Sequence, residues 1–153
     1  MKKINLTILF SIIAFALYAQ DSYTEVVRST IKNEKKALIA EVLQLSNEEG
    51  LAFWPVYNEY QDKLYKINTD YYNTIREFAD NYENMSAQTA TDILIKVNNF
   101  NVEEAKLEKT YIKKMLKVLS PQKTLRYFQA NNKIEAMINA QLAAEIPLLE
   151  NIE

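Results

Sequence analysis

Histidine and cysteine are both missing from this chain of 153 residues. Without them there is no Cys–His or Ser–His–Asp nucleophile, no zinc site of usual composition and no Glu-x-x-His element of a di-iron bundle. No disulfide can brace the fold, so apolar packing must do so. Glycine occurs once, at Gly50, and proline three times, at Pro55, Pro121 and Pro147. A single glycine leaves nothing to build a phosphate-cradling loop. A chain so poor in turn residues is expected to be all helical. Charge of one sign is also scarce: the formal net charge is −2, which gives no electrostatic footprint for nucleic acid. The adjacent carboxylates Glu48/Glu49 and Glu103/Glu104 point about 100° apart on a helix and read as helix-start and solvated charge. No catalytic residue, metal, cofactor or small-molecule substrate is therefore expected.

What is present begins at the N-terminus. Met1-Lys2-Lys3 precedes an apolar run from Ile4 to Leu17, and Leu17-Tyr18-Ala19 ends in a small residue. This is the pattern of a secretory signal peptide, residues 1–19, cut after Ala19. The run is shorter than the roughly 20 residues of a membrane span, and an uncleaved anchor is the competing reading. The mature chain, Gln20–Glu153, is one domain's worth of residues. Losing Lys2 and Lys3 takes its formal charge to −4.

The mature chain is organised around Leu45–Tyr60. Ser46 and Glu49 are spaced as a capping box, and Phe53, Tyr57, Tyr60, Leu64, Ile67, Tyr71, Ile75, Phe78 and Tyr82 follow at steps of three and four. That period predicts one face of a long helix, bent at Pro55 and running to about Tyr82. Trp54, Tyr65 and Tyr72 fall beside that face. A preceding helix is expected from Ser22 to Gln44, with Val27, Ile31, Leu38, Val42 and Leu45 inward. Asn81–Ser86 reads as a loop, and Ser86 caps a third helix to about Leu119 with Ile93, Val97, Phe100, Leu107, Tyr111 and Val118 buried. Ser120-Pro121 opens a fourth, with Leu125, Phe128, Ile134, Ile138 and Leu142 inward, to Glu145. The second and third helices are too long for a compact monomer of this size, which predicts an elongated homodimer.

The run Leu45-Ser46-Asn47-Glu48-Glu49 followed by Phe53-Trp54-Pro55-Val56-Tyr57-Asn58-Glu59-Tyr60 resembles the Spy/CpxP-type periplasmic proteins, which carry a repeated LTxxQ motif. A second copy stands at Leu119-Ser120-Pro121-Gln122-Lys123, with Phe128, Asn132 and Lys133 downstream. Ser replaces Thr in both copies, and the final Gln position holds Glu49 in one and Lys123 in the other. Ser caps a helix as Thr does. The resemblance spans about Arg28 to Leu149. It implies four helices, two of them long, folded as hairpins that form a cradle-like antiparallel homodimer in the periplasm. Lys133 belongs to the second motif and is expected to pair with a carboxylate or a helix end.

Two sets of side chains are candidates for binding. Trp54, Tyr65 and Tyr72, if partly exposed, can hold unfolded chain without demanding a sequence; core and dimer packing is the competing reading for the aromatic stripe. Lys106, Lys109, Lys113 and Lys117 recur at helical spacing, and only Glu108 is acidic between Lys106 and Lys133. They form either an ordinary solvated face or a positive surface that attracts acidic, partly unfolded clients. The expected function is an ATP-independent chaperone of the envelope stress response that limits aggregation of non-native polypeptides. The alternative is an accessory sensor or inhibitor acting on a membrane receptor or an extracytoplasmic-function sigma-factor system.

Overall fold

The computed structural model describes residues 32–149. The expected signal peptide and the start of the first helix, with Val27 and Ile31, lie outside the described residues. Every regular element among the described residues is helical: α1 over 32–43, α2 Asn47–Asn81, α3 Ala87–Met115 and α4 Pro121–Glu145, with a short 3-10 turn at Tyr82–Asn84. The chain divides at Val42/Leu43 into two units, and of the first only 32–42 is described.

In α1, Lys35, Ile39 and Leu43 are buried at steps of four, while Leu38 is half exposed. This corrects the expected face by one position. Lys35 lies within the buried stripe; a lysine stem is aliphatic and packs as such. The helix stops because Gln44 takes a left-handed backbone, φ 44°, the usual way a helix ends although glycine is the commoner residue there.

The second unit is built on three helix starts, each with a serine cap. Ser46 Oγ accepts from the Glu49 N–H, and Glu49 reaches back to the Ser46 N–H at 2.8 Å, completing the capping box of α2. Ser86 caps α3 through the Thr89 N–H, and Ser120 caps α4 through the Lys123 N–H with Pro121 in the first turn. α2 runs unbroken through Pro55. The proline is exposed and follows the exposed Leu51, so the carbonyl that loses its donor lies on the solvent side. α3 ends at Met115, short of the expected Leu119. Its last turn tightens into i,i+3 bonds such as Lys117 N–H to the Lys114 carbonyl, ahead of Pro121, which cannot extend a helix backward.

α3 runs antiparallel to α2. Tyr60 meets Tyr111, Glu59 meets Lys114, Tyr71 stacks on Phe100 and Glu77 meets Lys96. α4 then runs parallel to α2. Glu49 meets Lys123, Phe53 and Tyr57 meet Tyr127, Tyr60 meets Phe128, and the Tyr82 hydroxyl donates to the Leu148 carbonyl. The core of this unit is Phe53, Tyr57, Tyr60, Leu64, Tyr111, Met115, Leu119, Tyr127 and Phe128, all buried. It occupies only the half nearest the serine caps of α2 and α4. Beyond Leu64 the predicted stripe continues as Ile67, Tyr71, Ile75 and Phe78, but these are only part-buried, as are Ile93, Val97, Phe100, Leu107 and Val118 of α3. Leu125, expected inward on α4, is 60% exposed. Tyr127 takes that role, with Thr124 and Asn131 beside it, because these three share the face turned to α2.

Candidate functional site

The starts of α2 and α4 meet each other. Glu49 is the third residue of α2 and Lys123 the third of α4, and each is set by its own serine cap. Lys123 Nζ donates to Glu49 Oε2 at 2.6 Å, and the same oxygen accepts the Ser46 N–H. These contacts, Lys123 first, hold the Glu49 carboxyl below its ordinary pKa. The charges of Glu49 and Lys123 thus compensate one another. The first turn of a helix favours a carboxylate, so Glu49 is placed well for both its own cap and its partner.

Downstream lies a layer of tyrosines. Phe53 packs edge-on against Trp54 and Tyr127, Tyr57 edge-on against Trp54 and Tyr127, and Tyr60 packs on Tyr111 at 4.9 Å. Tyr127 accepts a hydrogen bond from Gln61 Nε2 at 3.3 Å. Burial, with Glu135 nearby, pushes the Tyr57 hydroxyl up to about 12, and burial also raises Tyr60 and Tyr127. The Tyr57 hydroxyl, Thr124 Oγ1 and Asn131 Oδ1 are buried without a hydrogen-bond partner. Beside this layer Lys114 donates to both oxygens of Glu59 at 2.9 Å and lies over the Tyr111 ring. Lys114, then the nearby Tyr111 hydroxyl, then Lys63 draw the Glu59 carboxyl down to about 2. These groups hold three helices together.

The two candidate binding strips lie elsewhere, and the structure keeps them apart. Trp54, Tyr65 and Tyr72 are 11 and 7 residues apart, so they align within about 20° on α2. Trp54 and Tyr72 are part-buried and Tyr65 is 40% exposed. α3 is met from the other side of α2, by Glu59, Tyr60, Lys63 and Tyr71. Lys106, Lys109 and Lys113 fall within an arc of about 60° on α3, facing away from Phe100, Tyr111 and Met115, which turn inward, and Lys117 follows in the turn after the helix. All four are exposed, and none makes an ion pair with a described residue. The aromatic and the basic strips therefore lie on opposite sides of the α2/α3 pair. Lys133, expected to pair with a carboxylate or a helix end, is exposed in the middle of α4 and pairs with no described residue. Its neighbour Asn132 is exposed and accepts a long bond from Asn131.

Between α2 and α3, past the tyrosine layer, runs an open groove of about 360 Å³. Its apolar lining is Ile67 and the Tyr71/Phe100 stack, with ring centroids at 4.3 Å, and Asp70, Glu77 and Glu103 stand along it. Hydropathy ranks Gln61, Thr74, Thr124 and Asn131 as surface residues, yet all four are buried. The helical spacing of Thr124, Tyr127 and Asn131 was the signal that could have placed the α4 face. No protein-family model, curated protein or solved structure matches this chain.

Proposed function

We propose that this protein is an exported, ATP-independent chaperone that binds non-native polypeptides reversibly and limits their aggregation, without enzymatic chemistry. The observation that carries this reading is the half-open apolar stretch beyond the core. Ile67, Tyr71, Ile75 and Phe78 on α2 and Ile93, Val97 and Phe100 on α3 remain part-exposed over some three helical turns. Contiguous apolar surface of that kind marks an interaction site. In the same reading a second copy aligns antiparallel to give the cradle that the Spy/CpxP resemblance implies, and the strip of Trp54, Tyr65 and Tyr72 adds amphipathic rings for extended chain. Lys106, Lys109, Lys113 and Lys117 raise the encounter rate with acidic clients through a long-range field that salt screens.

The test is light scattering of an aggregating protein with and without purified Gln20–Glu153, in the absence of nucleotide. Suppression that Ile75→Ser/Val97→Ser and Trp54→Ala each weaken supports the chaperone. No suppression at several-fold molar excess rejects general chaperoning. A single stoichiometric partner recovered from the envelope then makes the protein an accessory sensor or inhibitor of a stress pathway. Sedimentation of the same samples reports whether the Ile75→Ser/Val97→Ser pair also breaks a dimer.

A further inference from the structure

We propose that the outer face of α3 seats the protein on a bilayer containing anionic phospholipid. This goes beyond the chaperone reading and does not need it. On α3 the face is an arc of about 120°. It carries Leu94, Ile95 and Val102 at 71%, 54% and 42% exposure, followed by Lys106, Lys109 and Lys113, and continues into the turn after α3 with Leu116, 46% exposed, and Lys117.

The charge on this face is all of one sign. The acidic residues of α3, Asp92, Glu103, Glu104 and Glu108, fall outside the arc, and the other positions in it are uncharged. The two α3 lysines that face α2 are each engaged, Lys96 by Glu77 and Lys114 by Glu59. The four outward ones make no ion pair with a described residue. Free cations next to exposed aliphatic side chains call for a partner that is both anionic and apolar.

Shape selects between partners of that chemistry. A peptide gains its burial from a groove or a sheet edge, and the outward side of a single helix is convex. A bilayer surface accepts a convex helix lying flat, with its apolar side chains at the headgroup–acyl boundary. The distribution along α3 fits this. Leu94, Ile95 and Val102 lead, and the four lysines follow with Leu116 among them. From Leu94 to Lys113 the face extends about 29 Å at 1.5 Å per residue. Lysine stems can lie along the apolar layer while the ammonium groups reach phosphate. No helix among the described residues is long and apolar enough to cross a membrane, so the attachment is to the surface.

The experiment is flotation of the protein as isolated from cells with vesicles of phosphatidylcholine alone or with about one-third phosphatidylglycerol, at low and high salt. The protein should float with the anionic vesicles at low salt and not with the neutral ones. Lys113→Glu/Lys117→Glu should lower the vesicle-bound fraction about tenfold or more, and Ile95→Ser/Val102→Ser should lower it as well. Both pairs are exposed, so circular dichroism should be unchanged. Absence of flotation, equal flotation with neutral vesicles, or flotation that survives either pair overturns the proposal. Capture by polyglutamate without flotation makes the face a site for acidic polypeptide and also overturns it. Aggregation assays contain no lipid, so chaperone activity is scored separately from either result.

Discussion

Tyr57 is 1% exposed and its hydroxyl has no hydrogen-bond partner. A buried, unsatisfied donor costs about 1–3 kcal/mol. Tyr57→Phe keeps the ring contacts with Phe53, Trp54 and Tyr127 and removes only that cost. It should leave the urea midpoint unchanged or raise it, the result opposite to that of most core substitutions. Glu59 responds to pH instead. Its pKa in the folded state lies well below the unfolded value, so its contribution is complete at neutral pH and is lost as pH falls from about 4.5 toward 2. Glu59→Gln should be less stable than the parent at pH 7, and melting curves of the two should converge by about pH 2. The pair is solvent-exposed, which keeps the effect small. At this scale sequence alone located the serine caps and Glu49. It did not pair Glu49 with Lys123, because a contact across 74 residues leaves no trace in local spacing.

The elements were the most legible level. Ser46, Ser86 and Ser120 each stand one residue before a helix, and each accepts the expected backbone N–H. Ser46→Ala and Ser120→Ala should each lower stability by about 1 kcal/mol in urea titrations. Less legible was the direction each helix faces. On α1 a stripe through Leu38 and one through Ile39 and Leu43 are equally apolar, and only packing chose the second. On α4, Leu125 is the more hydrophobic residue, yet Tyr127 is fully buried and Leu125 is not. A tyrosine brings more area to a gap between helices than a leucine does, and its hydroxyl found Gln61.

At the scale of the molecule the decisive feature is uneven packing along the α2/α3 pair. Phe53 is fully buried and Phe78 is not. Phe53→Ala should cost about 3–5 kcal/mol, while Phe78→Ala should cost less than half of that in the same denaturant series. Amide exchange should follow the same division, slow from Phe53 to Leu64 and fast near the Tyr82–Asn84 turn. Periodicity predicted the long stripe and the lysine row correctly as rows. It could not show that the apolar stripe is only part-buried after Leu64, nor that the lysines and the side-lying aromatics face opposite ways, since both depend on where neighbouring helices end.

The parallel placement of α2 and α4 has a consequence for timing. Tyr127 closes over Phe53, Tyr57 and Gln61, and its bond with Gln61 joins residues 66 positions apart. A ribosome adds about 5–20 residues per second. The aromatic row of α2 therefore waits on the order of 3–13 s for the rings that cover it. Until the last helix leaves the ribosome, the nascent chain displays the kind of surface that other proteins must be kept from displaying.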